Sequence, residues 1–361
     1  MGDTPGKIDI GELERLVDVG DVDTVVTVFP DMVGRFMGKR ITGHFFVDEV
    51  VKGGMHACDY LLACDMEMDP VPGYAFTSWE TGYGDFHAVP DLDTLRLLPW
   101  LTKTAFVICD LDRGENHEPV EVAPRRILKC QIERLRDAGY VAKMASELEF
   151  YIFKETFEEA KSKAFHDLQP YGWYIEDYHI LQGTREEHII RDIRNAMDSA
   201  GVPVEFSKGE WGPGQHEINL RYAEPLEMAD RHSLYKNGAK EIAMKHDVSL
   251  TFMAKWDERY AGSSCHVHSS LWSLDGSKAL FHDSGARFGM STLFRHWLAG
   301  QITHAREMSL FFAPSVNSYK RYQAGSFAPT RLAWSFDNRT VGFRVIGAGA
   351  SLRGENRIPG A

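Results

Sequence analysis

The sequence predicts an α+β fold with a small N-terminal domain followed by a larger domain. Apolar runs of strand length occur along the whole chain, and long helical patterns lie between them only in the second part. Several of these strands are separated by turns short enough for hairpins, which argues against an all-parallel sheet. The length of 361 residues and the 43% hydrophobic content suit about two domains with substantial cores.

The N-terminal part alternates short apolar runs with turn residues. Its pattern predicts, in order, a short amphipathic helix over 8–18, a strand over 23–30, a hairpin partner over 35–42, loops and short strands over 56–100, and a buried strand over 101–110.

A polar stretch over 111–124, with Gly, Asn and Pro, is the best linker candidate and predicts domains at 1–112 and 113–361. Pro124 suits the first turn of the helix that follows, and Gly139 suits its C-terminal end. Thr184 with Glu187 matches a capping box at the start of a further helix. The second part is predicted to contain helices over 125–138, 184–201, 226–247 and 290–309, and strands over 141–153, 202–207, 216–222, 249–255 and 266–272.

Charge and cysteine content exclude several classes of function. A formal net charge of -12 disfavours general binding of nucleic acid or of an anionic membrane surface. No apolar run reaches the ~18 residues that a membrane span needs. The five cysteines are scattered and lack CxxC spacing, so we expect reduced thiols in a cytoplasmic protein.

Two carboxylates share one face of the strand over 141–153. Side chains alternate along a strand, so Glu147 and Glu149 point one way while Leu148 and Phe150 point towards a core. Such a pair alone would most simply be a solvated strand face.

Two further segments favour metal binding. The Gly- and Pro-rich loop over 209–217 carries Glu210 and Glu217, and the strand that follows Gly262 carries His266 and His268 on one face. Carboxylates that converge would repel one another unless cations neutralise them. Oxygen-rich sites with an imidazole suit Mg²⁺ or Mn²⁺ rather than Zn²⁺.

In sequence and in order, these segments resemble the motifs of glutamine synthetases. The matching motifs are SELEF (146–150), GEWGPGQHE (209–217), GSSCHVH (262–268), NSYKR (317–321), NRT (338–340) and LRGENR (352–357). The segment over 28–40 also resembles the small N-terminal domain of that family. The resemblance covers nearly the whole chain. It implies a β-grasp domain over 1–112 and a catalytic domain over 113–361 built on a curved antiparallel sheet with helices.

The resemblance implies an ATP-dependent ligase with two metal sites, which activates glutamate as γ-glutamyl phosphate and then transfers the acyl group to ammonia or an amine. One Mg²⁺ or Mn²⁺ would be held by Glu149, Glu210 and Glu217, and the other by Glu147, His266 and Glu355. ATP contacts are implied for His268, Ser270, Arg339, Arg344 and Arg353. Contacts to glutamate or to the transferring phosphate are implied for Arg321 and Arg357, a catalytic role also for Arg339 at the ATP phosphates, and Gly262 would line the glutamate pocket through its backbone.

Asp85 matches an aspartate that binds ammonium across a subunit boundary in the family, although an ordinary turn aspartate fits the segment equally well. By the same resemblance we expect a homo-oligomer with ring symmetry, similar to a dodecamer, in which a neighbouring subunit completes each active site.

The sequence departs from the family at three places. Phe327 stands where ammonia-using members carry a flap glutamate, which favours an organic amine as the second substrate because phenylalanine cannot accept a proton. Alternatively, Phe327 only packs the flap and another carboxylate removes the proton. Ala261 replaces an asparagine that contacts glutamate, and the chain stops at Ala361, so we expect a C-terminally truncated form.

Four functions therefore compete. A γ-glutamyl amide synthetase is favoured over an ordinary glutamine synthetase by Phe327. A non-catalytic homologue would be expected to lose metal ligands, and all six positions hold competent ones. A metal-dependent hydrolase would not require the arginines of the NSYKR and NRT motifs.

Overall fold

A computed structural model describes residues 5–114 and 116–361, and the chain within it forms two compact units. The smaller unit consists of the residues up to Gln131 with the segments Ala196–Val202 and Ala229–Asn237. The larger unit consists of Ile132–Asn195, Pro203–Met228 and Gly238–Ala361. Both contain helices and strands, which confirms the α+β class. The boundary between 112 and 113 stays a prediction, and part of the proposed linker, Glu115, lies outside the described residues.

The helices and strands are numbered here in chain order. Helices α1 to α11 span Ile10–Asp18, Gly43–Phe45, Val51–Gly53, Pro124–Asp137, Phe157–Ser162, Ile180–Gly183, Glu187–Ser199, Pro225–Lys245, Thr292–His304, Ser309–Phe312 and Val316–Lys320. Strands β1 to β13 span Thr24–Pro30, Phe36–Thr42, Met55–Cys58, Asp85–Leu97, Thr104–Asp112, Tyr140–Phe153, Val204–Gly209, Gln215–Leu220, Ser249–Thr251, Cys265–Ser273, Trp334–Phe336, Phe343–Ile346 and Arg353–Asn356.

The smaller unit contains a mixed five-stranded sheet in the order β2-β1-β5-β4-β3. Strands β1 and β5 are parallel, whereas the other pairs are antiparallel. The predicted hairpin of β1 and β2 is confirmed. One face packs on α1 through a core that includes Leu13, Phe29, Phe46 and Leu95.

Strand β4 corrects the expectation of loops and short strands over 56–100. It runs for 13 residues, and its pairing with β5 shifts register between Asp91 and Arg96. At this bulge the Thr94 hydroxyl donates to the carbonyl of Asp91 and accepts from the amide of Ile108. The polar residues at the bulge interrupt the apolar alternation, which is why the sequence pattern did not reveal a long strand.

The larger unit is built on an eight-stranded sheet in the order β11-β12-β13-β10-β6-β8-β7, with β9 also paired to β6. Only β11 and β12 are parallel among the described pairs of this sheet. The middle of β6 pairs with β10 on one side and β8 on the other. Leu148 and Phe150 are fully buried on its apolar face, as the alternation predicted.

Helix starts were predicted with mixed success. Helix α4 begins at Pro124, and Gly139 after its end has a φ of 92°, so both positions are confirmed. The capping box at Thr184 is wrong, because Thr184 directly follows α6 and its hydroxyl donates to the carbonyl of Ile180, the first residue of that helix. Helix α7 then begins at Glu187.

Among residues 5–114 and 116–361, no helix combines the length and the apolar character required to cross a membrane.

Candidate active site

The register of the central strands places the acidic and imidazole side chains in adjacent rows. Glu149 on β6 lies opposite Glu217 on β8, and Glu147 lies opposite His266 on β10. On the other side of β10, His268 lies opposite Glu355 of β13. Directly paired residues on one face of a sheet have Cβ atoms ~4.5–5.5 Å apart, so these rows bring the side chains into contact range.

The first cluster consists of Glu149, Glu210 and Glu217, whose nearest carboxylate oxygens lie within 4.8 Å of one another. Glu149 is oriented by three hydrogen bonds. It accepts from the amide of Ser264 at 2.9 Å, from the Ser264 hydroxyl at 2.6 Å and from Gln215 Nε2 at 3.2 Å. Because both Glu149 oxygens are engaged, the carboxylate is held in a fixed position before any ion binds.

Burial and mutual repulsion make it unfavourable for all three carboxylates of this cluster to be charged at once. Burial, with the charges of Glu147 and Glu149, raises the pKa of Glu217 to about 7. Burial and the charges of Glu149 and Glu217 raise the pKa of Glu210 well above its usual range. The ammonium group of Lys208 pairs with Glu210 and offsets one of the charges. Three carboxylates and one lysine leave a negative charge that a divalent cation would balance.

The second cluster joins Glu147, His266 and Glu355. His266 Nδ1 lies 3.3 Å from Glu147 Oε2 and 3.5 Å from Glu355 Oε1. His268 belongs to this cluster as well, since its Nε2 lies 2.9 Å from Glu147 Oε1. Although burial acts in the opposite direction, hydrogen bonds from His266 and His268 hold the pKa of Glu147 well below its usual range.

Both clusters fit the chemistry of Mg²⁺ or Mn²⁺. They offer carboxylate oxygens with few imidazole nitrogens and no thiolate, a donor set that these hard cations prefer. Glu217 lies between the clusters, because it also approaches Glu147 and His266 within the same 4.8 Å limit.

The arginines occupy several distinct environments. Arg344 and Arg357 both pair with Glu355, with Arg344 Nη1 3.2 Å from Glu355 Oε2. Arg321 Nη2 donates to the backbone carbonyls of 357, 358 and 359, so this buried side chain also fixes the segment that follows β13. Arg339 lines the same cleft as Glu147 and Glu149.

Other residues from the sequence-based set lie away from the lining of this cleft. Arg353 Nε donates to His268 Nδ1 at 3.0 Å, which ties it to the second cluster through the imidazole. The Ser270 hydroxyl accepts from Trp272 Nε1 at 2.9 Å. Asp85 is an exposed residue at the start of β4 in the smaller unit, rather than in a turn.

The cleft has a volume of about 650 Å³, and Trp211 and Phe327 are among the aromatic residues that line it. Trp211 and Phe327 pack edge to face there, with ring centroids 5.3 Å apart and planes at 74°. Each remains about half exposed, at 47% and 48%. The substitution noted in the sequence thus lies on the cleft wall beside a tryptophan, and together the two rings present an apolar surface.

Gly262 is required by close packing rather than by an unusual backbone angle. A Cβ added there would lie 2.5 Å from Cγ of Arg321 and 2.7 Å from the carbonyl of Ala254. Its own carbonyl accepts from Gln215 Nε2 at 3.1 Å. The neighbouring carbonyl of Ala261 accepts from the Tyr151 hydroxyl at 2.8 Å.

Sequence reasoning missed the residues that support the ligands. Asn219 Nδ2 donates to Glu217 at 2.7 Å, and Gln215 and Ser264 orient Glu149. A signal was present, because Gln215 and Asn219 are spaced two residues from Glu217, and Ser264 is two residues from His266. Applying the two-residue period of a strand to the neighbouring polar residues, as well as to the charged ones, would have identified these supporting residues.

Comparison with known proteins decides the family. The model of the glutamine synthetase catalytic domain matches residues 121–361.

The chain belongs to the glutamine synthetase family.

Within this family it is similar to enzymes that act on amines. It is 50% identical to the γ-glutamylethanolamide synthetase GlnA4 of Streptomyces coelicolor over 100% of this chain and 77% of that protein. It is 37% identical to a glutamate–isopropylamine ligase of Pseudomonas sp. over 98% of this chain and 77% of that protein. A solved structure of a GmaS/ADP complex matches with a TM-score of 0.81 and 27% identity, covering 96% of this chain and 76% of that one.

Proposed function

We propose that this chain is an ATP- and divalent-metal-dependent ligase that joins the γ-carboxylate of glutamate to an organic amine. The observation that carries the proposal is the aromatic wall of Trp211 and Phe327 in the cleft that the two acidic clusters also line. The similarity to an ethanolamide synthetase and an isopropylamine ligase supports the same substrate class. An ammonia-specific site would have no need of an apolar surface at this position.

Each of the two clusters would bind one divalent cation. Glu149, Glu210 and Glu217 would hold one Mg²⁺ or Mn²⁺, and Glu147, His266 and Glu355 would hold the other. His268 orients Glu147 from the side. Bound there, the ions supply positive charge to the oxygens of glutamate and of the ATP phosphates.

The chain's own cations assist the first step, in which the γ-carboxylate of glutamate attacks the γ-phosphorus of ATP. Arg339 and Arg344 line the cleft and are suited to the phosphate oxygens, because a guanidinium can donate two parallel hydrogen bonds. His268, Ser270 and Arg353 would support the nucleotide indirectly, through the contacts that they make next to the second cluster. Arg321 and Arg357, which also line the cleft, would contact glutamate or the transferring phosphate.

In the second step a neutral amine displaces phosphate from the γ-glutamyl phosphate. An alkylammonium ion is not a nucleophile, so a carboxylate must first accept its proton. Asp85 of a neighbouring subunit is our candidate, because the resemblance places it where the family binds ammonium, whereas Glu210 is already assigned to a metal ion. Phe327 and Trp211 would hold the apolar part of the amine, and a cation–π contact is worth ~0.5–2 kcal/mol to its charged form.

The test measures phosphate release with ATP, Mg²⁺, glutamate and a panel of ammonium, ethanolamine, isopropylamine and benzylamine. We expect an organic amine to give a higher kcat/KM than ammonium, and Phe327→Glu to shift the preference towards ammonium. Phe165→Glu is the matched control, because Phe165 is exposed and does not line the cleft. A panel in which ammonium gives the highest kcat/KM would refute the amine assignment, and no turnover with any amine would favour a non-catalytic homologue.

We also propose that the protein assembles into a ring in which Asp85 of one subunit serves the active site of its neighbour. Support comes from the resemblance and from the exposed position of Asp85 on the smaller unit. A head-to-tail contact of this kind forms a ring when the rotation between neighbouring subunits closes. Mixing Asp85→Ala subunits with Glu149→Ala subunits should restore part of the activity, and a monomeric but fully active protein would exclude the arrangement.

A further inference from the structure

A further group of potential metal-ligating side chains lies outside the cleft lining. Glu176, Glu186 and His216 each place a ligand atom within 4.8 Å of the other two. Their exposed fractions are 0%, 0% and 3%. His216 follows Gln215 and precedes Glu217 on β8, so strand alternation directs it to the face opposite that of Glu217.

The polar atoms of this group are mostly without partners. Neither carboxylate oxygen of Glu186 has a hydrogen bond, and the same holds for Glu176 Oε2 and His216 Nε2. The last two atoms lie 3.3 Å apart. Glu176 Oε1 accepts from the amide of Gly214 at 2.7 Å. Buried polar atoms without hydrogen-bond partners are costly, so three carboxylate oxygens and one imidazole nitrogen left unpartnered in one place point to a bound group.

The charges favour a cation as that group. Glu176 and Glu186 bring two carboxyl groups into this fully buried place. Arg185 is the cation beside them. Its guanidinium rests 3.6 Å from the centre of the Trp173 ring. Two carboxylates facing one arginine leave an excess negative charge in a buried place.

We propose that Glu176, Glu186 and His216 form a third, structural metal site that binds Mn²⁺ or Zn²⁺. Two carboxylates and a neutral imidazole would neutralise a divalent ion, which suits a buried position. The site disfavours Mg²⁺, because Mg²⁺ dehydrates reluctantly and usually keeps several water ligands.

The site would fix the loop that carries Glu210. The amide of Glu176 donates to the carbonyl of Glu210 at 3.2 Å, and its carboxylate accepts from Gly214 in the same loop. The packing is close, since a Cβ at Gly209 would lie 2.7 Å from Cβ of Glu176. A Cβ at Gly172 would lie 1.8 Å from Glu176 Oε1. An ion held by Glu176, Glu186 and His216 would therefore connect the residue before helix α7 and strand β8 to the loop that carries Glu210.

The direct test is anomalous diffraction from crystals of the full chain grown with Mn²⁺. We expect a peak between Glu176, Glu186 and His216 in addition to any peaks in the cleft. Peaks in the cleft without a peak at these three residues would overturn the third site and leave the proposed function intact. A peak at these three residues without any peak in the cleft would support the third site and count against the proposed function.

A solution measurement uses metal analysis after Mn²⁺ loading and gel filtration. Wild-type protein should retain one equivalent more than Glu186→Gln. Glu187→Gln is the matched control, because Glu187 is the adjacent residue, pairs with Arg194 and is more exposed. Equal retention by wild type and a folded Glu186→Gln variant would show that protons, not a metal, neutralise the group.

Discussion

Gln215 is a buried amide that supports the first acidic cluster, and its loss should weaken metal binding more than it weakens the fold. The side chain is 1% exposed. Its Nε2 donates to Glu149 Oε2 at 3.2 Å, to the carbonyl of Gly262 at 3.1 Å and to the Ser263 hydroxyl at 3.3 Å. Gln215→Ala removes one of the three donors that orient Glu149 and leaves the two from Ser264.

The expected loss of Mg²⁺ affinity in Gln215→Ala can be estimated in two independent ways. A hydrogen bond to a charged group contributes about 1.5–3 kcal/mol. Loss of a residue that orients a metal ligand lowers affinity about 10- to 100-fold, which corresponds to about 1.4–2.7 kcal/mol. The two ranges overlap, so the half-saturating concentration of Mg²⁺ should rise about 10- to 100-fold in Gln215→Ala.

The assay is the Mg²⁺ dependence of phosphate release at saturating glutamate and amine. Most of the wild-type kcat should return at high Mg²⁺, because Glu149 itself is retained. Gln301→Ala, at a half-buried position in α9, is the control for the substitution and should leave the curve unchanged. An unaltered Mg²⁺ curve in folded Gln215→Ala would refute the idea that this amide positions a metal ligand.

Three other expectations concern the same cleft. Glu149→Ala and His266→Ala should each abolish turnover at low millimolar Mg²⁺, and full-rate turnover by either would mean that the clusters are assigned wrongly. Gly262→Ala should raise the KM for glutamate, since the new Cβ would lie 2.5 Å from Arg321 Cγ and displace that side chain; an unchanged KM would count against the contact. Without metal, Glu217 binds more protons folded than unfolded between pH 4.5 and about 7. Its contribution to the free energy of unfolding therefore falls as pH rises through that window. Mg²⁺ should oppose that fall, and chemical denaturation at several pH values with and without Mg²⁺ measures both effects.

The sequence predicted those parts of the site that depend on alternation along a strand. Glu147 with Glu149 and His266 with His268 needed only the two-residue period to be placed on common faces. Their meeting across strands could not be deduced from spacing, because strand order and register are set by the whole sheet. The resemblance to a family supplied the partnership of Glu147 with residue 355, more than 200 positions away.

The failures arose where tertiary contacts override a local pattern. Thr184 had the right neighbours for a capping box, yet its hydroxyl closes the preceding helix. The roles of His268 at the nucleotide and of Arg321 at the substrate stay predictions, but the sequence did not reveal their contacts within the protein. His268 Nε2 approaches Glu147 in the second cluster, and Arg321 Nη2 donates to three backbone carbonyls. Such competing hydrogen bonds have no signature in the composition or periodicity of a segment.

The central claim is that glutamate is activated by phosphorylation of its γ-carboxylate before the amine attacks. It is tested most directly by following ¹⁸O from γ-carboxylate-labelled glutamate in a reaction with ATP, Mg²⁺ and the best amine of the panel. Transfer through γ-glutamyl phosphate predicts a single ¹⁸O atom in each phosphate released and the other in the γ-glutamyl amide, both measured by mass spectrometry. Phosphate released without ¹⁸O, in amounts equal to the amide formed, would contradict the account.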